Sequence, residues 1–278
     1  MLADTARLAR ECARRGRGLG AFNVVLLDHG EAFADAAQDV GLPVVLQLSQ
    51  NAVAYHGGRL RPLGRALLEL ADACSVPVGV HLDHAEDADL CREAIDLGFT
   101  SIMYDGSKLP DERNRATTAA ITRLAHEAGV SVEAELGEVG GKNGVHDPSA
   151  RTSPEDAARF VADTGVDLLA VAVGSSHAMA TRDAVLDTDL IARIRSAVPV
   201  PLVLHGSSGV PDDGMRAAIR AGMTKINVST HLNVVFTRSV RQTLATEPGL
   251  VDPRRYIGPG TDAVRAEVAR LLRLYDEC

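Results

Sequence analysis

Short apolar runs of strand length alternate with Ala- and Leu-rich stretches of helical spacing through nearly the whole chain. The runs fall at 20–24, 43–49, 77–83, 100–105, 130–135, 166–173, 200–205 and 224–228. Helical patterns lie between them, near 30–40, 60–74, 86–97, 113–128, 154–164, 188–197, 212–221 and 231–246. Most runs are continuously apolar rather than alternating, which suits parallel strands buried on both faces. Eight strands alternating with eight helices predict an α/β fold, a (β/α)8 TIM barrel. An N-terminal helix and an extra C-terminal helix lie outside the eight units. The first carries Leu2, Ala6, Leu8, Ala9 and Cys12 within residues 2–16, and the last carries Val264, Val268, Leu271, Leu272 and Leu274 within 261–274. The last helix is expected to cap the barrel or to pack on another subunit. An open doubly wound sheet is the rival arrangement. Against it, Gly16-Arg17-Gly18-Leu19-Gly20 precedes the first strand, and no G-x-G-x-x-G follows it. No low-complexity linker interrupts the pattern, so residues 1–278 are expected to form one barrel domain.

Composition narrows the class. A chain of 278 residues can bury a large core, and 46% of it is hydrophobic. No apolar run is long enough to span a bilayer, and the opening Met1-Leu2-Ala3-Asp4-Thr5 lacks signal-peptide character, so no membrane association is expected. The net charge of −8 argues against a nucleic-acid surface. Cys12, Cys74, Cys91 and Cys278 show no C-x-x-C spacing and read as reduced thiols of a cytoplasmic protein.

The strand ends are rich in groups that ligate metals or move protons. They carry Asn23, Gln47 and Ser49, then Asp83 and His84, Asp105, Glu133 and Glu135, His177, His205 and Asn227. In a (β/α)8 barrel the C-terminal strand ends hold the active site. A single histidine is more often a core or surface residue, and His29, His56, His126, His146 and His231 are read that way on position alone. His84, His177 and His205 differ, because they end strands three, six and seven. Three imidazoles on a divalent ion leave an open coordination position, as in catalytic zinc sites, where the ion acts as a Lewis acid or activates water. His81 shares a strand face with Asp83 and is read as packing or support. Asp83 is either an orienting group or an acid–base group. On a regular strand residues 83 and 84 face opposite sides, so both reach the site only where the strand is irregular.

Two loops suit an anion. Gly206-Ser207-Ser208 and Asn227-Val228-Ser229-Thr230 follow strands seven and eight, where barrels of this kind commonly bind phosphate. The loop from Gly137 to Thr152 is far longer than an ordinary strand-to-helix connection.

These motifs occur together, and in order, in one family. Ala21-Phe22-Asn23, His81-Leu82-Asp83-His84, Asp105-Gly106-Ser107, Val132 to Gly137, Ala170 to His177, Leu202 to Gly206 and Thr224 to Asn227 carry the likeness. From about residue 4 to its end the chain resembles the class II, zinc-dependent ketose-bisphosphate aldolases. The resemblance implies reversible cleavage of fructose or tagatose 1,6-bisphosphate to dihydroxyacetone phosphate and an aldehyde such as glyceraldehyde 3-phosphate. It implies Zn2+ on His84, His177 and His205, with Asp83 moving the C4 hydroxyl proton. Asp105 and Glu135 match acidic residues at an alternative metal position. Gly206 and Ser208 match residues around the ketose phosphate and a monovalent cation, Na+ or K+. Asn227, Ser229 and Thr230 match the substrate loop, and Asn23 and Ser49 would line the pocket. A homodimer or homotetramer is expected.

The chain departs from the family in three places. The family's acidic pair after Gly140-Gly141 is replaced by Lys142 to Asp147, which leaves Glu138, His146 and Asp147 as candidates for proton transfer at C3. Ala178 stands where the family usually has glycine. Arg254 and Arg255 precede Pro259-Gly260-Thr261-Asp262, near the place of the family's late distal-phosphate arginine. Two other functions fit the barrel: a zinc-dependent hydrolase, or a non-catalytic accessory member of the family.

Overall fold

The computed structural model describes residues 1–136, 151–176 and 181–278. Its eight strands are β1 (Leu19–Asn23), β2 (Val44–Ser49), β3 (Val78–Ala85), β4 (Ser101–Tyr104), β5 (Ser131–Glu135), β6 (Leu168–Ala170), β7 (Leu202–Leu204) and β8 (Met223–Val228). They close into one parallel barrel in sequence order, with β8 pairing back onto β1. Every expected strand is present. A helix follows each strand in the chain, and among the described residues the unforeseen additions are the short helix Gln50–Tyr55 and the 3-10 turn Ser207–Gly209.

Strand alternation sorts the side chains into an outer shell and a lumen. The outer set, including Phe22, Leu46, Leu82, Val132 and Leu204, merges with the helices into the main core. The lumen is layered. Its lowest layer is apolar, with Leu19, Ala21, Val45, Leu168, Ala170 and Val203 packed against Ala3, Ala6, Leu8, Ala9 and Cys12. The N-terminal helix Thr5–Arg14 therefore plugs the bottom of the barrel with its apolar face. Asp4 caps that helix by accepting from the Arg7 amide, an interaction worth about 1 kcal/mol. Above this layer the lumen turns polar. Gln47, His81, Glu133 and Lys225 are all fully buried there.

The C-terminal helix is longer than expected and sits elsewhere. It runs from Pro253 to Asp276 and packs on helix Leu27–Val40 and on β1. Its end is tied down by the Gly18 amide donating to the Tyr275 carbonyl and by an Arg17–Asp276 ion pair. It thus fills the outer ring beside β1. Helix Thr230–Thr246, expected in that ring, buries only Leu232 and packs on the C-terminal helix instead. The reason is apolar content: Val264, Val268, Leu271, Leu272, Leu274 and Tyr275 make a wider stripe than the earlier helix offers.

Candidate functional site

The C-terminal end of β3 delivers two adjacent side chains to one cleft. His84 adopts a left-handed backbone, φ 48°, and the register against β4 shifts between Leu82 and Ala85. A non-glycine residue in that region costs about 1–2 kcal/mol. The irregularity breaks the two-residue alternation, so both Asp83 and His84 line the cleft. His81 keeps the regular alternation and stays below the cleft. Its Nδ1 lies 2.7 Å from Ser101 Oγ, which donates to Thr5 Oγ1. Burial and the Lys225 charge push the His81 pKa down to about 3, so the ring is neutral.

Carboxylates fix the two described histidines of the expected metal set. His84 Nδ1 is 2.8 Å from Asp105 Oδ2, whose other oxygen accepts from the Ser107 hydroxyl and amide. A carboxylate behind an imidazole in this way sets its tautomer and ring orientation. His205 is fully buried, with Nδ1 2.8 Å from Glu135 Oε2 and Nε2 3.0 Å from Glu133 Oε1. Burial disfavours the charged ring, but these two hydrogen-bonded carboxylates outweigh it and raise the His205 pKa to about 10. Burial likewise opposes ionisation of Asp83. The positive charges of His84 and Lys225 outweigh it and hold the carboxyl below its usual range.

A divalent ion fits this donor set. One ligand atom each from Asp83, His84 and His205 lies within 4.8 Å of the others, and the His84 and His205 ring centroids are 4.6 Å apart. Imidazole and carboxylate donors at that spacing suit zinc. A metal on either ring nitrogen of His205 takes the place of a proton. His177, the third expected ligand, lies outside the described residues, as do Glu138, His146 and Asp147.

The two anion-type loops border the same cleft, which is open to solvent. Gly206, Ser208, Asn227, Ser229 and Thr230 line one part, and Asn23 and Ser49 another. Gly206 has φ 66°, and a Cβ there would collide with the Ser176 backbone. The Ser175 hydroxyl donates to the His205 carbonyl at 2.6 Å, tying the loop after β6 to the one after β7. Ser229 precedes helix Thr230–Thr246 without making a side-chain cap bond, and the His231 amide donates to Ser208 Oγ. A helix start whose cap side chain makes no bond, beside a Gly/Ser loop, favours an anion. Arg254 and Arg255 lie away from the cleft, paired with Asp252 and Glu247.

Asn51 and Lys225 were not singled out as site residues from the sequence, and Gln47 was named only as a polar strand-end residue. Asn51 lines the cleft from the short helix after β2. Gln47 and Lys225 lie in the polar layer beneath, where Lys225 Nζ is 2.8 Å from Glu133 Oε2. Removing one partner of such a buried pair costs about 3–5 kcal/mol. The signal for Lys225 was available: it stands two residues before Asn227 in an apolar strand, and so on the same face.

Comparison with known proteins agrees with this architecture. Residues 3–277 match the family model described as fructose-bisphosphate aldolase class-II. The chain is 38% identical to the fructose-bisphosphate aldolase of Geobacillus stearothermophilus, covering 98% of this chain and 96% of that protein. It is 37% identical to the fructose-bisphosphate aldolase of Thermus caldophilus, over 99% and 98% of the two chains. Among solved structures, the YdjI aldolase from Escherichia coli K12 superposes with a TM-score of 0.86 at 29% identity, covering 99% of this chain and 97% of the other.

Proposed function

This chain belongs to the class-II fructose-bisphosphate aldolase family, and on that premise we propose how its barrel mouth divides the work of aldol cleavage. The enzyme is an aldolase, a carbon–carbon lyase that reversibly cleaves a ketose bisphosphate to dihydroxyacetone phosphate and an aldehyde. Class II aldolases are in general zinc-dependent, and His84 and His205, with the Asp83 carboxylate beside them, offer a place for such an ion. The observation that carries the reading is the meeting of that cluster with two anion-type loops in one cleft.

His84, His205 and His177 hold the ion in this reading, with Asp105 and Glu135 orienting the first two rings and offering an alternative metal position. Zinc, when bound, supplies a Lewis acid that stabilises the negative charge left on the three-carbon fragment. Asp83 is the general base of cleavage. Its carboxylate takes the C4 hydroxyl proton as the C3–C4 bond breaks and C4 becomes the aldehyde carbon. In synthesis it returns that proton to the aldehyde oxygen. Gly206, Ser208, Ser229 and Thr230 hold the phosphate of the dihydroxyacetone phosphate portion, with a monovalent cation (Na+ or K+) beside Gly206 and Ser208. Asn23, Ser49 and Asn227 bind the sugar chain. Glu138, His146 or Asp147 moves the C3 proton.

The preferred substrate is fructose or tagatose 1,6-bisphosphate. We further assign the chain to the cytoplasm as a homodimer or homotetramer, built from one barrel domain over residues 1–278. Among the described residues no helix is long and apolar enough to cross a membrane, and all four cysteines are free thiols.

Cleavage measured against a panel of ketose mono- and bisphosphates, with and without added zinc, tests the reading. Asp83→Ala is expected to bind zinc with wild-type stoichiometry and to lose cleavage by about 100-fold or more. Normal turnover in Asp83→Ala would remove the assigned role. Ester or amide hydrolysis without carbon–carbon cleavage would remove the aldolase reading as a whole.

A further inference from the structure

The polar layer under the cleft converges on one fully buried cation. Lys225 Nζ donates to Gln47 Oε1 at 2.5 Å and to Asn227 Oδ1 at 2.8 Å, and it pairs with Glu133 Oε2 at 2.8 Å. Each contact leads back to a residue of the site. Asn227 Nδ2 reaches Asp83 Oδ1 at 3.4 Å. Gln47 Nε2 donates to Asn23 Oδ1 at 3.1 Å, and Asn23 Nδ2 donates to Asp83 Oδ2 at 2.7 Å. Glu133 Oε1 meets His205 Nε2.

The chemistry of the two ends dictates how the amides between them are turned. An ammonium only donates and an ionised carboxylate only accepts. An amide bridging the two must therefore point its oxygen at Lys225 and its NH2 at Asp83. Asn227 does this alone, and Gln47 with Asn23 does it in two steps. Without the ammonium, the oxygens of Asn227 and Gln47 would lose the donor that holds them, and only the Asp83 end would fix the two amide paths. With the ammonium in place, both oxygens of Asp83 are met by donors, Asn23 from β1 and Asn227 from β8, and each donor is held from behind.

We propose that Lys225 is a positioning residue for aldol cleavage, which orients the Asp83 carboxylate through the amides of Asn227, Gln47 and Asn23. It never touches the substrate and transfers no proton. Its service is to the C4 oxygen, because Asp83 is the group that faces it; the proposal rests on that assignment of Asp83. Enolisation of dihydroxyacetone phosphate involves proton exchange at C3 and no C4 atom. The amide paths from Lys225 to Asp83 therefore matter for one half of the chemistry and not for the other, whereas a residue needed only for folding would affect both equally.

The test measures two rates on each purified, zinc-loaded variant: cleavage of fructose 1,6-bisphosphate, and exchange of the C3 proton of dihydroxyacetone phosphate with deuterated water. Lys225→Met keeps the stem and removes the donors. It is expected to lower kcat for cleavage by about 100-fold, the scale of a misplaced reacting group, with KM little changed. Gln47→Met cuts one of the two paths and leaves the Lys225–Glu133 pair in place, so it keeps the question open to decision even where Lys225→Met does not fold. Its cleavage is expected to fall by about 10-fold. Gln47→Met is expected to keep C3 exchange within about 3-fold of wild type, because it leaves the Lys225–Glu133 pair beside His205 in place. Adding Gln47→Met to Asp83→Ala is expected to cost nothing further, because the group being positioned is already gone. Equal losses in both rates of Gln47→Met, or undiminished cleavage in that variant, would overturn the proposal while leaving the role of Asp83 standing. Undiminished cleavage in Asp83→Ala would instead overturn that role, and the positioning with it.

Discussion

A left-handed backbone at His84 lets one strand present consecutive residues to the same cleft. The strain is offset by what surrounds it, above all the Asp105 carboxylate on its ring. The glycine at 206 solves a comparable problem after β7, where the chain turns through φ 66° against the Ser176 backbone. Gly206→Ala is expected to destabilise the protein by about 2 kcal/mol or more, read as a lowered denaturant midpoint at constant slope. The same variant is expected to raise KM for phosphorylated substrates, since the displaced loop carries Ser208. An unchanged midpoint would show that the turn relaxes freely. Ser208→Ala removes a hydroxyl that lines the cleft and accepts from the His231 amide. Its KM is expected to rise about 10-fold with the fold intact, the equivalent of one lost hydrogen bond. A KM within twofold of wild type would take Ser208 out of the phosphate site.

At the scale of elements, the two ends of the chain complete the barrel. The first helix closes the lumen from below, and the last fills the outer ring. A charged cluster fastens that last helix near the loops that follow β7 and β8. Arg270 bonds both Glu267 and Asp212, Arg182 also reaches Asp212, and His231 Nε2 bonds Glu267. Burial opposes ionisation of Glu267, but the bonds from Arg270 and His231 outweigh it and bring its pKa down from 4.5 to about 2. A carboxylate depressed in the folded state stabilises it fully above its unfolded pKa, and that stabilisation is lost as pH falls through the folded value. The contribution of Glu267 is therefore expected to disappear between about pH 4.5 and 2. Arg270→Leu weakens the depression, so its acid-unfolding midpoint, followed by circular dichroism, should lie at higher pH than wild type. A midpoint that does not move would mean that the cluster contributes nothing to holding the helix.

Across the whole molecule, the candidate site depends on strands far apart in sequence. The cleft draws Asn23 from β1, Asp83 and His84 from β3, His205 from the end of β7 and Asn227 from β8. Removing the metal with a chelator is expected to abolish cleavage and leave the barrel folded, because a lumen plugged from below does not rely on the ion. Far-ultraviolet circular dichroism and restoration of activity by zinc check both halves. Loss of helical signal along with activity would make the ion structural. Much of this architecture was legible in the chain. Each expected strand is present, and Asn23, Ser49, Asp83, His84, His205 and Asn227 from their ends line one mouth, whereas Gln47 and Glu133 lie beneath it. The layout of the last two helices was not legible, since helical periodicity states that a face is apolar and not which neighbour covers it. Lys225 was passed over for a related reason. An isolated lysine in an apolar strand gains meaning only from Gln47, Glu133 and Asn227, which approach it from other strands.

The sequence by itself determined the order of strands and helices, the polar character of the strand ends and the family likeness, because these follow from local periodicity and residue type. Only the tertiary structure decided that Asp83 and His84 share a cleft, that His205 is held between Glu133 and Glu135, and that a buried lysine connects through amides to the Asp83 carboxylate. Those facts come from barrel closure and inter-strand register, which bring together side chains as many as 178 positions apart, such as Gln47 and Lys225.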